Sequence, residues 1–382
     1  MKNVLIILSI LSISLTIYSC DSDNDPDVPF IEPFSVKIGE VNTTPTIWQK
    51  VGFFFRNNVP ETIKSVQWEF GDGFSSSERV AEHSYDKEGT YKVIVKVTSE
   101  DGSIAKDSIM VSVIGRSLSS ALKNFDWRRT WICAHRCNTG DTSIPENSIL
   151  ALKKCIESNS VDMVEIDPRM TRDGVIVLMH DATVDRTTNG TGRVSDLTYA
   201  QIRSLRLKLA DGTVTQDTVP TMREFLLEAK GKMWIDLDYY DKVPSWELYS
   251  LVKDCDMLDQ VMFYTSSNSE IINSVLSYSP PGIVFTHTSR ESHVSEYKEK
   301  GIYVTQISAA RLLDANLGHF AMQNSLAVLS NTLVQNGITI DSDMRYNNDY
   351  SGVDKFLEKG VNIIQTDQAL LLAEYLKTIN KR

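Results

Sequence analysis

Cysteine and positive charge are both scarce in this 382-residue sequence. It contains 5 cysteines, and 50 acidic residues outnumber 39 lysines and arginines, which gives a formal net charge of −11. The few cysteines exclude a disulfide-rich framework, and no Cys/His spacing indicates a zinc site. The acidic balance argues against broad attraction to nucleic acid, although a local cationic site for a phosphate is compatible with it.

A long apolar run is also missing. The stretch from 4 to 18 is apolar, but it is shorter than the roughly 20 residues that a membrane-spanning helix needs. Because Lys2 supplies a positive charge in front of it, the pattern predicts a secretory signal peptide over residues 1–20. Residues 21–33 are acidic and contain proline, which is typical of a disordered tether.

The end of the predicted signal peptide resembles a bacterial lipobox, carried by Ile17-Tyr18-Ser19-Cys20. The resemblance implies that Cys20 is lipidated and becomes the mature N-terminus. The protein would then be exported and anchored by lipid to the cell envelope, in the outer membrane and facing the periplasm or the surface. The alternative is a plain signal peptide with a chance cysteine.

Short stretches of alternating apolar and polar residues, separated by Gly, Asn and Asp, fill residues 34–115. This pattern is typical of an antiparallel β-sandwich of roughly seven strands. Trp68-Glu69-Phe70-Gly71-Asp72-Gly73, His83-Ser84-Tyr85 and Gly89-Thr90-Tyr91-Lys92-Val93 resemble the PKD domain, an immunoglobulin-like module. The resemblance implies that Trp68 lies in the core between the sheets and that His83 is structural.

Residues 116–129 are a predicted linker, and from 130 to 382 strand-like runs alternate with longer amphipathic segments. Such alternation predicts parallel strands in an α/β barrel or a doubly wound sheet. The connection at 171–174 is too short for a helical crossover, so it predicts a hairpin. The candidate strands, one more than a barrel needs, are 130–134, 163–166, 175–179, 233–237, 260–264, 282–285, 302–307, 337–340 and 361–364.

Paired carboxylates end two of the predicted strands. Glu165 and Asp167 lie two residues apart, and Asp236 and Asp238 repeat that spacing. Residues at i and i+2 of a strand point to one face, where two carboxylates repel each other unless a cation lies between them. A divalent cation that prefers oxygen ligands, Ca²⁺ or Mg²⁺, is therefore expected, and the hairpin would bring His180 to the same end.

An ordered set of motifs resembles the glycerophosphodiester phosphodiesterase family. The resemblance runs from about Trp131 to the C-terminus and implies a TIM barrel. The expected fold class is therefore multidomain, with an all-β immunoglobulin-like sandwich followed by an α/β TIM barrel. The matching motifs are His135-Arg136, Pro145-Glu146-Asn147-Ser148, Glu165-Ile166-Asp167, Thr171-Arg172-Asp173-Gly174, His180-Asp181, Asp185-Arg186-Thr187-Thr188-Asn189-Gly190-Thr191-Gly192, Val219-Pro220-Thr221 and the segment 360–367.

The family resemblance also implies roles for individual residues. His135 and His180 would flank the scissile phosphodiester as the acid–base pair, since free histidine titrates near neutral pH. Arg136 would bind the phosphate oxygens through charge-assisted hydrogen bonds. The metal ligands would be Glu165, Asp167 and Asp236.

Four positions depart from the family pattern. Cys137 stands where the family has glycine, and Asp236 stands where it usually has glutamate. Asp238 replaces the usual lysine, so it is assigned to substrate binding, with a further metal ligand or a solvated carboxylate as alternatives. Residues 340–343 lack the usual Trp-Thr-Val-Asn, so a residue that packs against the substrate is missing. These departures concern the substrate more than the histidine and metal centre.

The predicted function is an exported, metal-dependent phosphodiesterase that hydrolyses glycerophosphodiesters to glycerol 3-phosphate and an alcohol. Its expected partners are a small or lipid-derived phosphodiester, the membrane through its lipid anchor, and a carbohydrate or protein at the PKD domain. One alternative is a phosphodiesterase for a different lipid or polymer diester, which Asp238 favours. The other is a non-catalytic surface binding protein, against which both histidines and the three acidic positions argue.

Overall fold

The computed structural model describes most of the chain beyond its N-terminal segment. The described residues are 33–43, 45, 50–58, 63–85, 88–113, 117–238, 242–265, 267–314, 316–333 and 339–382. The predicted signal peptide, the lipidation site at Cys20 and the tether up to residue 32 lie outside them. Within these ranges, no helix combines the length and apolar content needed to cross a membrane.

The described residues of the N-terminal region, where the antiparallel sandwich was predicted, form eight strands. They are β1 (Val36–Ile38), β2 (Val51–Phe53), β3 (Phe55–Asn57), β4 (Ile63–Glu69), β5 (Ser75–Ser76), β6 (Ala81–His83), β7 (Gly89–Ser99) and β8 (Ile104–Val113). β4, β5, β7 and β8 form one antiparallel sheet in the order β5-β4-β7-β8. β1 pairs antiparallel with β3, and β2 pairs antiparallel with β6.

Trp68 is fully buried in the sandwich core, as the sequence predicts. Its ring centroid lies 5.9 Å from that of Phe53, and its indole N–H donates to the Glu78 carbonyl at 3.0 Å. His83 stacks on Phe70 with the ring centroids 4.2 Å apart, and its Nε2 hydrogen-bonds Asp72 at 2.6 Å. His83 therefore joins the turn to the core, which is a structural role.

Eight parallel strands close into a barrel in the C-terminal region. They are β9 (Trp131–Ala134), β10 (Met163–Ile166), β13 (Trp234–Leu237), β14 (Val261–Thr265), β15 (Val284–His287), β16 (Val304–Gln306), β17 (Ala327–Asn331) and β18 (Ile363–Thr366). Neighbours follow chain order, and β18 pairs with β9 to complete the ring. The predicted α/β barrel is confirmed, and the doubly wound sheet is excluded because the ring is closed.

The described residues form twelve α-helices, of which the first precedes the barrel and the others connect or follow its strands. They are α1 (Leu118–Lys123), α2 (Ile149–Ser158), α3 (Tyr199–Arg203), α4 (Met222–Ala229), α5 (Ser245–Asp254), α6 (Ser269–Leu276), α7 (Glu291–Glu299), α8 (Ala309–Asp314), α9 (Leu317–Gln323), α10 (Ile340–Ser342), α11 (Ser351–Glu358) and α12 (Ala369–Thr378). Local capping sets several of their starts. The Ser148 side chain accepts from the Ala151 N–H at α2, and Thr221 forms a capping box with Glu224 at α4.

Strand alternation decides which side chains enter the barrel. Cys133 on β9, Met163 on β10 and Trp234 on β13 join one interior cluster. Their neighbours Val164 and Ile235 belong instead to the outer cluster packed against the helices. Since alternate residues share a face, the positions two and four residues after each interior residue of β10 and β13 point into the barrel mouth.

Helix α1 fills the opposite, amino-terminal end of the barrel. Leu118 and Leu122 are buried in the same interior cluster as Trp131 and Trp234. The Leu118 N–H donates to the carbonyl of Asp259, which precedes β14. The segment predicted as a linker therefore contributes apolar side chains to the barrel floor.

A hairpin interrupts the β/α alternation after β10, as the short connection predicts. Its strands, β11 (Pro168–Met170) and β12 (Ile176–Leu178), pair antiparallel outside the barrel ring. One strand prediction was wrong. The strand expected at 337–340 is not formed at its C-terminal end, where Ile340 begins α10, and β17 supplies the eighth barrel strand instead. Ile338 and Ile340 flank the polar Thr339, an alternation that is typical of a strand but too short to exclude a helix start, which is why periodicity misassigned it.

Candidate active site

A cavity of about 520 Å³ opens at the carboxyl end of the barrel. This is the end at which β/α loops meet in barrels of this kind. One half of its wall carries charged or titratable side chains, and the other half carries aromatic and amide side chains. The lining residues are His135, Arg136, Glu165, His180, Asp236, Asp238, Tyr264, Phe285, Gln306, Asn331, Leu333, Gln365 and Asp367.

Three carboxylates form a cluster at this end. Glu165, Asp167 and Asp238 each place an oxygen within 4.8 Å of the others. Glu165 and Asp167 are buried, whereas the Asp238 side chain is 44% exposed. Burial raises the pKa of Glu165 well above its usual range, and the neighbouring Asp167 and Asp238 raise it further. Ionisation of all three carboxyl groups would therefore place more negative charge here than the surroundings stabilise.

Asp167 differs from Glu165 because it has donors on both oxygens. The Asn147 side-chain amide donates to Oδ2 at 3.0 Å, and the Lys242 ammonium donates to Oδ1 at 2.6 Å. Burial opposes ionisation, but Lys242, His180 and Asn147 together lower the pKa of Asp167 below its usual value. These donors therefore favour the ionised form of Asp167, whereas burial disfavours the ionised form of Glu165.

Asp236 lies beside Glu165 in the parallel register of β10 and β13. Its side chain is buried, and its Oδ1 has no hydrogen-bond partner among the described residues. Burial raises the pKa of Asp236 well above its usual value, with Asp238 and Asp167 contributing. An unpartnered buried carboxylate oxygen next to three further carboxylates fits a divalent cation with oxygen ligands.

His135 follows β9 directly and is held by a carboxylate. Its Nδ1 hydrogen-bonds Asp367 Oδ1 at 2.9 Å, while its Nε2 lies 3.9 Å from Glu165 Oε2. Burial works against ionised Asp367, but the hydrogen bond from His135 and its charge lower the pKa of that carboxyl. Asp341 holds the backbone of Asp367 in turn, because its Oδ2 accepts the Asp367 N–H at 2.9 Å.

His180 follows the hairpin strand β12 and is held in a similar way. Its Nδ1 hydrogen-bonds Asp181 Oδ1 at 2.6 Å. Hydrogen bonds from Arg186 hold the pKa of Asp181 far below its usual value, and the bond from His180 adds to this. The guanidinium of Arg169 donates to the His180 carbonyl at 2.9 and 2.6 Å. Hydrogen bonds therefore fix both the imidazole and the backbone carbonyl of His180.

Arg136 lies in a constrained turn that directly follows β9 and His135. Its φ is 51° and that of Cys137 is 63°, so two consecutive non-glycine residues have left-handed backbone conformations. The turn aims the Arg136 N–H at Glu165 Oε2, 2.9 Å away. Its guanidinium donates to Glu146 Oε1 at 3.2 Å and lies 3.5 Å from Asp167 Oδ2.

Cys137 keeps the left-handed turn that suits the glycine of the family pattern. Its thiol is buried, and burial raises the pKa of this thiol well above its usual value. A buried thiol with a raised pKa is a poor nucleophile. Like Cys133, Cys155 and Cys255, it is a free, buried cysteine.

All six residues predicted for catalysis and metal binding converge at this end, together with Asp238. Sequence reasoning did not assign roles to Asp367, Asp341 or Lys242. Asp367 carried a signal, since it ends the last strand of the barrel and so lies next to β9. Lys242 carried none, because it lies in a loop without a motif.

Known proteins agree with the fold. A closed parallel barrel with titratable side chains at the carboxyl ends of its strands defines a TIM-barrel domain with an enzyme-like site. The model of the glycerophosphoryl diester phosphodiesterase family matches residues 135–274, and that of the PKD domain matches residues 42–113. The chain thus carries a PKD domain followed by a domain of the glycerophosphoryl diester phosphodiesterase family.

Individual relatives point the same way. Glycerophosphodiester phosphodiesterase 1 from Bos taurus is 32% identical over 183 residues, which cover 44% of this chain and 54% of that protein. The chain therefore spans about half the length of this curated relative. A glycerophosphoryl diester phosphodiesterase from Parabacteroides distasonis superposes with a TM-score of 0.59 at 25% identity, covering 68% of this chain and 92% of that one.

A third similarity is to a solved structure with a bound product. The Oleispira antarctica phosphodiesterase, determined in complex with the product sn-glycerol-3-phosphate, superposes with a TM-score of 0.50 and 18% identity. The match covers 64% of this chain and 96% of that one. At this identity the likeness supports the barrel fold alone.

Replacing Asp236 by asparagine is expected to stabilise the metal-free protein at neutral and alkaline pH. The folded-state pKa of Asp236 is raised above the usual 3.8. Above that pH the native protein keeps a proton that the unfolded chain has released, so the stability of the native protein falls as pH rises. Each unit of raised pKa corresponds to about 1.4 kcal/mol, which asparagine would recover. Thermal unfolding in EDTA between pH 4 and 8 measures the gain, which should grow with pH.

The matched control is Asp196→Asn, at an exposed aspartate. It should shift the melting temperature little and without a trend in pH. An Asp236→Asn protein less stable than wild type at pH 8 would contradict the raised pKa and indicate a partner for the Asp236 carboxylate.

Proposed function

We propose that the protein is a metal-dependent phosphodiesterase that hydrolyses glycerophosphodiesters to glycerol 3-phosphate and an alcohol. The observation that carries the proposal is the pair of histidines at one cavity, each with its Nδ1 on a carboxylate. His135 is paired with Asp367 and His180 with Asp181, at 2.9 and 2.6 Å. An Nδ1–H that donates to a carboxylate leaves Nε2 as the position that takes or gives a proton.

The two histidines would divide the proton transfers between them. One Nε2 takes the proton from the attacking hydroxyl as a P–O bond forms, and the other gives a proton to the alcohol oxygen as the second P–O bond breaks. The attacking group is either water or the neighbouring glycerol hydroxyl, which would form a cyclic phosphate that water then opens. Both routes need one base and one acid, so the pair serves either.

The charged half of the cavity suits a phosphodiester. The Arg136 guanidinium would bind the phosphoryl oxygens, since it is fixed on its other edge by Glu146. Glu165 and Asp167, with Asp236 or Asp238, would hold a divalent cation, Ca²⁺ or Mg²⁺. Such a cation polarises the phosphoryl oxygen and stabilises the charge that develops on it.

The other half of the cavity suits the alcohol part of the substrate. Tyr264 and Phe285 contribute aromatic surface with their ring centroids 5.1 Å apart, and Gln306 and Gln365 contribute amide groups. Amides hydrogen-bond hydroxyl groups, and aromatic faces pack against the carbon skeleton or a cationic head group. A small glycerophosphodiester has both parts.

Purified protein with Ca²⁺ or Mg²⁺ is expected to release glycerol 3-phosphate from glycerophosphocholine or glycerophosphoethanolamine. His135→Ala and His180→Ala should each lower kcat by about 10²–10⁴-fold, the usual contribution of a general acid or base. Coupled detection of glycerol 3-phosphate measures the rates. His319→Ala, at an exposed histidine in α9, is the control and should keep full activity.

Two outcomes would decide between the alternatives. Turnover of another lipid or polymer diester, with both glycerophosphodiesters inert, would remove the substrate assignment and retain the reaction. Equal residual rates in wild type and in both histidine variants would leave a non-catalytic binding protein as the better account.

Asp367 is proposed as a positioning residue for His135. Asp367→Asn keeps the size of the side chain but removes the charge that orients the imidazole, so kcat should fall about 10²-fold or more while KM changes little. Steady-state kinetics separates the two constants. Asp354→Asn is the control, since Asp354 is a surface carboxylate bonded by the Tyr375 hydroxyl. A rise in KM without a fall in kcat would assign Asp367 to substrate binding instead.

Export and lipid anchoring at Cys20 are proposed from the lipobox-like signal alone. In a Gram-negative host, the full-length protein should sediment with membranes and enter the detergent phase. Cys20→Ser should remove this partition, because a cysteine thiol is needed for the lipid. Cell fractionation and metabolic labelling with a fatty acid measure both effects, and an unlabelled wild-type protein would refute the lipoprotein assignment.

A further inference from the structure

Lys242 is the ammonium group in contact with the acidic cluster. It lies in the loop after β13, four residues beyond Asp238, and its side chain is only 14% exposed. Its Nζ donates to Asp167 Oδ1 at 2.6 Å and to Asp238 Oδ2 at 3.1 Å. These two carboxylates follow different strands, β10 and β13, so one ammonium bridges the two sides of the cluster.

The contacts of Asp167 show which of its two hydrogen-bond donors a cation could displace. Asn147 is buried and bonded twice, because its amide donates to Asp167 Oδ2 and its Oδ1 accepts the Asp167 backbone N–H at 3.3 Å. Removing it would break the backbone bond as well. Lys242 is attached through a flexible four-carbon stem on a loop, and its departure frees Oδ1 alone.

A divalent cation and the Lys242 ammonium would compete for Asp167 Oδ1. Like charges at contact distance repel strongly where water is excluded, and Asp167 is almost completely buried. Asp238, which is partly exposed at the rim, can keep the ammonium as a second partner. The buried Asp236 oxygen, without a partner among the described residues, loses no hydrogen bond when it takes a cation.

We propose that Lys242 is the resident counter-ion of the acidic cluster, and that a divalent cation binds at Asp167 by displacing it while Asp238 retains the released ammonium. The proposal rests on the proposed metal-dependent function and adds a residue to it. Metal affinity in this chain is then set by competition with a lysine of its own loop. Removing the lysine charge strengthens metal binding, whereas a lysine that only stabilised the fold would leave it unchanged.

The test is calorimetric titration of the full-length protein with Ca²⁺ and with Mg²⁺, without substrate. Lys242→Met removes the charge and keeps an unbranched side chain of similar length. We expect it to bind the metal at least about tenfold more tightly than wild type, which corresponds to about 1.4 kcal/mol. Lys242→Gln, which can still donate a hydrogen bond to Asp167, should also bind more tightly and serves if the methionine variant does not fold.

Lys230→Met is the matched control. Lys230 is also ion-paired, to Asp256 at 2.9 Å, but it precedes β13 and so lies at the opposite end of that strand from Asp238. Its replacement should leave the metal dissociation constant within about twofold, since the charge is far from the cluster on the scale of electrostatic screening.

Thermal unfolding gives a second readout. In EDTA, Lys242→Met should melt below wild type, because Asp167 loses its ammonium partner, and saturating Ca²⁺ should raise its melting temperature more than that of wild type. The displacement would be overturned if Lys242→Met and Lys242→Gln had metal dissociation constants equal to or greater than that of wild type.

Glu165→Gln separates this failure from failure of the metal site itself. If wild type binds Ca²⁺, Glu165→Gln abolishes the binding and the Lys242 variants show no gain, then the displacement is wrong and the metal-dependent function stands. If neither wild type nor any Lys242 variant binds Ca²⁺ or Mg²⁺, both the displacement and the metal dependence are wrong.

Discussion

Crowding of carboxylates at the barrel mouth is the constraint on which the rest of the site depends. The same alternation that places Met163 and Trp234 inside the barrel places Glu165, Asp167, Asp236 and Asp238 at its carboxyl end. Buried carboxylates without counter-charge are unfavourable by several kcal/mol, so positive groups must lie among them. Lys242 and the Arg136 guanidinium supply part of this counter-charge in the protein itself, and the remaining unpartnered Asp236 oxygen marks where a divalent cation fits.

Positive and negative groups also alternate outward from this centre. Asp181 joins His180 to Arg186, and Arg186 joins Glu146, which in turn pairs with Arg136. This chain of charges connects the hairpin to the turn after β9. Substitution of one member changes the charge felt by its neighbours, so effects of paired substitutions along it should not be additive. The geometry of His180 is thus a property of this network rather than of strand β12 alone.

Motif order and strand alternation were sufficient to predict the barrel, the hairpin and the convergence of His135, His180 and the acidic residues. These features depend on local pattern and on parallel pairing, both of which are visible in the chain. Strand β17 was not found, because the apolar residues at 326–329 are as compatible with a helix end as with a strand. The contact of Lys242 with Asp167 could not be predicted, since a loop conformation decides it. Which of Asp236 and Asp238 binds a cation also depends on side-chain reach, which spacing alone does not determine.

Helix α1 changes where the barrel domain begins in this chain. Although it lies between the two recognisable domains, its Leu118 and Leu122 belong to the interior of the barrel. Cutting the chain at residue 130 would expose apolar surface around Trp131 and Trp234 and open the floor of the barrel. A boundary between the two domains that leaves the barrel floor covered therefore lies before residue 117, so that α1 stays with the barrel.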